Sequence, residues 1–223
     1  MPVEDAVNRA VTALRNGGMI VIYDGDAREG EADLVIGARF AEPEIVEALR
    51  RDAGGLICVA IDGPEARRVD LPFYTDVLEA SGFKAASMSC ARTAYGDKPA
   101  FSLAVNHRDV YTGIPDDDRS LTITKIDEVL GDPGSDYESF RKEFYSPGHV
   151  FLLIGRGLEK RQGHTELALE LARRSGLRAV TLCEMLGSGK ALPKEKAREY
   201  AKKHGLVFVE GKEIIALSLA QRG

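Results

Sequence analysis

Apolar positions recur at two spacings along this chain, and their alternation sets out most of its elements before any chemistry is considered. Val3, Ala6, Val7, Ala10, Val11 and Leu14 follow the rhythm of one helix face, which Asn16-Gly17-Gly18 stops with residues that tolerate left-handed backbone. Two short runs rich in branched residues, Met19 to Tyr23 and Leu34 to Ala38, read as strands. Pro43 opens a second helix with Ile45, Val46 and Leu49 on one face, closed by Ala53-Gly54-Gly55, and Leu56 to Ile61 is a buried strand. From Asp62 to Pro99 the rhythm weakens. A short helix and then a long irregular segment are expected there, of the kind that covers a site or meets a partner.

In the second half, Phe101, Leu103 and Val105 alternate as a half-buried strand that ends in a loop at His107. Ile123, Ile126, Val129 and Leu130 predict a helix closed by Gly131-Asp132-Pro133-Gly134. Ser146-Pro147-Gly148-His149 reads as a turn before a strand from Val150 to Ile154, and a helix with Leu167, Ala168, Leu171 and Ala172 inward follows. Val180 to Cys183 is a strand that delivers Glu184 at its end. A basic surface helix from Pro193 to Lys203, with His204 at its end, a strand from Leu206 to Val209 and a helix from Ile214 to Leu219 complete the chain. Interleaved helices and strands without a repeat or polar linker predict a single α/β domain of α+β type over residues 1–223, in three layers, with helices on both faces of a mixed sheet.

Composition narrows the function classes. With 30 Lys and Arg against 35 Asp and Glu the net charge is -5, so no basic field is available to hold a nucleic-acid backbone. No run reaches the roughly 18 apolar residues of a membrane span. Cys58, Cys90 and Cys183 are too scattered for a disulfide framework, which points to the cytoplasm.

Candidate chemistry concentrates in two places. Asp24-Gly25-Asp26-Ala27-Arg28-Glu29-Gly30-Glu31-Ala32-Asp33 packs five carboxylates and one arginine between two strands. It is either a solvated acidic turn or a site where a cation or polar ligand offsets the repulsion. Arg161-Gln162-Gly163-His164-Thr165 has the parts of an anion site: an arginine fork, a glycine that lets backbone N–H groups approach, and a threonine placed to cap the next helix. The alternative is that Thr165 only caps and His164 only packs. Carboxylates joined by the His164 imidazole would suit Mg²⁺ or Mn²⁺. His149 is a candidate titrating group or a hydrogen-bonded turn residue, and Glu184, flanked by Cys183 and Met185, is a candidate acid or base.

Taken together, these stretches resemble the 3,4-dihydroxy-2-butanone 4-phosphate synthases of riboflavin biosynthesis, in their archaeal single-domain form. The resemblance rests on Arg28 to Asp33, Asp52-Ala53-Gly54-Gly55-Leu56-Ile57-Cys58, Thr112-Gly113-Ile114 with Asp118-Arg119, Ser146 to Val150, Arg161 to Glu166, and Cys183-Glu184-Met185. It implies a Mg²⁺- or Mn²⁺-dependent, homodimeric lyase that converts D-ribulose 5-phosphate to 3,4-dihydroxy-2-butanone 4-phosphate and formate. By that pattern Glu29 and His164 hold the metal. Arg28, Glu29, Asp33, Thr112, Arg161, Gln162, Gly163, His164, Thr165 and Glu184 contact the sugar phosphate. His149 and Glu184 are the essential catalytic positions, with Asp33 and Glu31 as further proton-transfer groups. Another metal-dependent sugar-phosphate isomerase or aldolase would use the same two sites, and a nucleotide- or RNA-binding module is the non-enzyme alternative.

Overall fold

The computed structural model describes residues 3–88 and 93–220, so Cys90 lies outside the described residues. Its strands are β1 (Ile20–Tyr23), β2 (Ala32–Gly37), β3 (Cys58–Ile61), β4 (Phe101–His107), β5 (Phe144–Ile154), β6 (Ala179–Glu184) and β7 (Val207–Glu210). They form one mixed sheet in the order β4-β5-β3-β6-β2-β1-β7. The β1–β7 and β3–β5 pairs are parallel and the other pairs antiparallel.

Among the described residues the helices are α1 (Val3–Arg15), α2 (Pro43–Ala48), α3 (Gly63–Arg68), α4 (Tyr74–Ala80), α5 (Asp116–Gly131), α6 (Tyr137–Glu143), α7 (His164–Ser175), α8 (Lys194–Lys203) and α9 (Gly211–Ala220). Alternation along the strands divides the core in two. Val21, Leu34, Val59 and Leu152 join α2, α5 and α8 on one face, whereas Ile20, Ile22, Val35 and Leu182 join α1, α7 and α9 on the other. Three layers follow, as the pattern predicts.

Several local expectations change. β2 begins at Ala32, not Leu34, which takes Asp33 into the sheet and sets it opposite Glu184 of β6. The stretch from Ser146 to His149 is not a turn preceding a strand but lies within β5. Register jumps there from Val105↔Val150 to Asn106↔Tyr145, so these residues are extruded from the ladder as a bulge. His107 is no loop residue: it ends β4, buried, with Nε2 3.0 Å from Glu143 Oε2. His204 keeps the structural place expected of it, capping α8 and stacked on Tyr200.

Candidate functional site

The acidic loop between β1 and β2 is organised by its first residue. Asp24 accepts backbone N–H groups of Gly25, Glu29 and Glu31 at 2.8, 3.1 and 3.1 Å, and the guanidinium of Arg28 at 2.9 Å. Its carboxylate therefore shapes the loop and leaves Glu29, Glu31 and Asp33 to line a cavity. Sequence reasoning did not single Asp24 out, because fivefold acidity gives no sign of which member is engaged locally; an aspartate at the mouth of a glycine-bearing turn was the available signal.

Glu29 and Glu31 converge with Asp33 on the first residue of α7. His164 is 5% exposed, with Nδ1 3.3 Å from Glu29 Oε2, and Nε2 3.1 Å from Glu31 O and 3.6 Å from Asp33 Oδ1. Burial opposes charge on this imidazole, but Asp33, Glu29 and Asp24 prevail and raise it to about 9. Glu29 is likewise opposed by burial, yet His164 and Tyr95 bring it down to about 2. Asp33, at 1% exposure, has both carboxylate oxygens buried without a hydrogen-bond partner, and desolvation pushes it up to about 7 against the pull of His164. Burial and neighbouring Glu29 also raise Glu31. Atoms of Asp24, Glu29 and His164 lie within 4.8 Å of one another, a spacing a cation can bridge. Because Asp24 is occupied by the loop, Glu29 and His164 are the donors best fitted to hold one, and the orphaned oxygens of Asp33 mark a place still seeking a polar ligand.

The anion half of the site lies on the same helix turn. Gly163 is the N-cap of α7, and no side chain caps that end, so the expected capping by Thr165 does not occur; Thr165 lies buried within the first turn. A Cβ on Gly163 would collide with the guanidinium groups of both Arg161 and Arg28, which shows how closely the two cations gather at this helix start. Arg161 is held by Glu166 at 2.6 Å, while its Nε is buried without a hydrogen-bond partner. Tyr95 and Asp97 lie against this cradle: Asp97 pairs with Arg28, whose guanidinium also lies against the Tyr95 ring.

A cavity of about 410 Å³ joins these parts, lined by Glu29, Glu31, Asp33, Cys58, Tyr95, Arg161, His164, Thr165 and Glu184. A neighbouring hollow of about 460 Å³ shares Tyr95 and Arg161 and adds Arg28 and Gln162. Glu184 is fixed at the cavity by its Oε2, which accepts the Leu56 N–H at 2.7 Å. A larger hollow of about 670 Å³ between α3, α4 and α7 is lined by charges of both signs, including Arg67, Lys160, Asp76 and Glu170. The unpartnered carboxylate and the opposed acids line the smaller cavity, which makes it the candidate site.

Comparison with known proteins decides among the chemistries this geometry allows. The family model of 3,4-dihydroxy-2-butanone 4-phosphate synthase matches residues 8–217. The synthase of Methanosarcina mazei is 48% identical, over 97% of this chain and 92% of its own. The chain belongs to the 3,4-dihydroxy-2-butanone 4-phosphate synthase family. The synthase of Methanothermobacter thermautotrophicus is 38% identical over 94% of each chain. A solved synthase in complex with two magnesium ions superposes with a TM-score of 0.78 at 26% identity, over 98% of this chain and 99% of that one.

Two residues expected in a synthase site stand apart from it within this single chain. His149 and Thr112 are both exposed and line neither of these two neighbouring cavities. Thr112 belongs to a turn whose N–H groups, with those of Gly113, are gathered by Asp118 Oδ2 at 3.1 and 2.8 Å. Tyr95 and Asp97 are site residues that sequence reasoning missed, since they sit in the one stretch without rhythm.

Proposed function

We propose that this chain converts D-ribulose 5-phosphate to 3,4-dihydroxy-2-butanone 4-phosphate and formate, with Mg²⁺ or Mn²⁺ bound at Glu29 and His164, as one domain over residues 1–223. The observation that carries the reading is the shared helix start. His164 answers to the acidic loop while Gly163, one residue earlier, answers to two arginines. A phosphosugar whose hydroxyls and phosphate must be gripped together needs that pairing. The two products together contain the atoms of the substrate, so no external oxidant or reductant is required.

Arg28, Arg161, Gln162, Gly163 and Thr165 take the phosphate. The open N–H groups of α7 and the orphaned Arg161 Nε supply donors that a tetrahedral dianion can satisfy. A bound divalent ion would supply Lewis-acid stabilisation of charge developing on neighbouring sugar oxygens. Asp33 brings to the cavity a carboxylate without a hydrogen-bond partner, whose hold on a proton desolvation strengthens, as a group that can exchange one with the sugar. Glu31, also shifted upward, and Glu184 at the opposite wall supply further proton acceptors and donors for enolisation, dehydration, rearrangement and loss of formate.

His149 and Thr112 reach the cavity from a second copy of the chain, so that the working unit is a homodimer. Support comes from their exposure away from their own cavity, and from Tyr111 and Ile114 beside them, 96% and 52% exposed. A cytoplasmic location agrees with the free, buried thiols of Cys58 and Cys183.

Release of formate from ribulose 5-phosphate, with and without EDTA, tests the function. Formate in equal amount to substrate consumed, abolished by EDTA and restored by Mg²⁺, is the expected result. An isomeric sugar phosphate or smaller aldol fragments without formate would assign the site to an isomerase or aldolase instead.

A further inference from the structure

Behind His149 stands a buried amide that the reaction as described does not use. Asn106, 2% exposed, lies near the end of β4 opposite Tyr145, where the bulge of residues 146–149 folds back over it. The backbone N–H of His149 donates to Asn106 Oδ1 at 2.8 Å. An amide N–H can only donate, so the oxygen must face it, and the NH₂ group is thereby turned the other way. That group donates to Tyr145 Oη at 3.0 Å and stands 3.2 Å from His149 Nδ1. Nδ1 is also 3.3 Å from Oδ1, the longer of its two contacts with the amide. A proton on Nδ1 would press against the amide's own N–H.

The amide is not free to turn over. A Cβ at Gly113 would run into the Asn106 side chain, so the Gly113 turn packs directly on the amide, and one at Gly148 would run into the backbone of Val105 and Asn106, so the bulge packs on the strand that carries it. Asn106 is thus held rigidly by β4, the Gly113 turn and the bulge that carries His149.

We propose that Asn106 is a positioning residue for this enzyme: its NH₂ donates to Nδ1 of His149, fixing the ring and keeping its neutral form protonated on Nε2. The proposal rests on the reading of His149 as a residue of the reaction. Nε2 then meets the sugar as a proton donor, and before it can accept a proton the imidazole must first have given one up.

The test is NMR of the imidazole nitrogens in the full-length protein, isotope-labelled at histidine, in mildly alkaline buffer. The chain has only 4 histidines to assign. The expected wild-type result is a His149 ring protonated on Nε2. Asn106→Asp keeps the shape but replaces the donor by an acceptor, and is expected to move the proton to Nδ1. Asn106→Leu is expected to abolish the preference and lower kcat by about a hundredfold, at the low end of general acid–base contributions, with KM changed less than about twofold. A wild-type ring protonated on Nδ1, or a tautomer unmoved by Asn106→Asp, would overturn the proposal without touching the function. If the tautomer responds as expected but His149→Ala keeps full activity, the reading of His149 fails and the positioning role fails with it.

Discussion

Asp97 holds Arg28 through a single carboxylate oxygen, 2.7 Å from Nη2 and 3.1 Å from Nε. The same oxygen stands 3.7 Å from Arg161 Nε, too far to satisfy that buried donor. One small acid therefore sits where two arginines await a larger anion, and it competes with any phosphate that arrives. Asp97→Asn is expected to bind inorganic phosphate about tenfold more tightly, the effect of removing roughly 1.4 kcal/mol of competition. Isothermal titration calorimetry reads the change directly. Weaker binding in the variant would mean that Asp97 helps build the cradle.

Glu29→Gln and His164→Ala each remove a proposed cation donor. Turnover is expected to fall by roughly a hundredfold or more, since even residues that only support metal ligands are worth 10–100-fold. Glu29 lies outside both apolar cores but loses its pairing with His164 in the variant, so Glu29→Gln should lower the thermal midpoint while both variants keep the far-ultraviolet circular dichroism of the parent. Formate release measured against Mg²⁺ concentration checks both. Wild-type activity in the two variants would remove the cation from this position.

The paired glycines before β3 differ in what they protect. A Cβ on Gly55 would lie 2.5 Å from Glu184 Oε2 and 2.6 Å from Glu184 O, so Gly55→Ala must push that residue from its place. A stability loss of about 1–3 kcal/mol is expected, together with most of the activity. At Gly54 the φ of +85° strains any side chain, but the nearest atom is 3.9 Å away. Gly54→Ala should therefore cost about 1–2 kcal/mol and spare turnover. Urea unfolding alongside the formate assay separates the two.

Glu210 carries a pH dependence that is independent of catalysis. Burial opposes its charge, but Lys212 and Lys194 prevail and hold it down to about 2, below its ordinary value of 4.5. A carboxylate depressed on folding stabilises the native state above its unfolded pKa, and that stabilisation is lost as pH falls from about 4.5 toward 2. Glu210→Gln is expected to cost about 1 kcal/mol at neutral pH and progressively less below pH 4.5. Equal losses at pH 7 and pH 3 in urea titrations would reject the assignment.

The layers of the fold were legible because branched residues mark β1, β3 and β6 and helical spacing marks α1 and α7. Local pattern failed where tertiary contact overrides it. Pro147-Gly148 is turn chemistry by sequence, yet Gly148 lies so close to the β4 backbone that the segment becomes a bulge inside a paired strand. Thr165 is a good capping residue, but the backbone begins α7 at Gly163 and leaves that helix end open to a ligand. α6 has only 7 residues and passed unnoticed between Gly134 and Phe144. The residues proposed to hold the ligands stood out by their crowding. Tyr95, Asp97 and Asn106 did not, since each acts through a neighbour that only folding brings near.

The first turn of α7 seats Gly163 and His164 on consecutive residues of a helix that is buried along nearly its whole length. A backbone shift that repositions one must carry the other with it. Occupancy of the cation position and of the phosphate position should therefore be reciprocally linked, each raising affinity for the other by the same factor. Evolutionary drift toward a different sugar phosphate would have to begin elsewhere, in the strand ends and around Tyr95 and Asp97, where single residues can change without moving that common pivot.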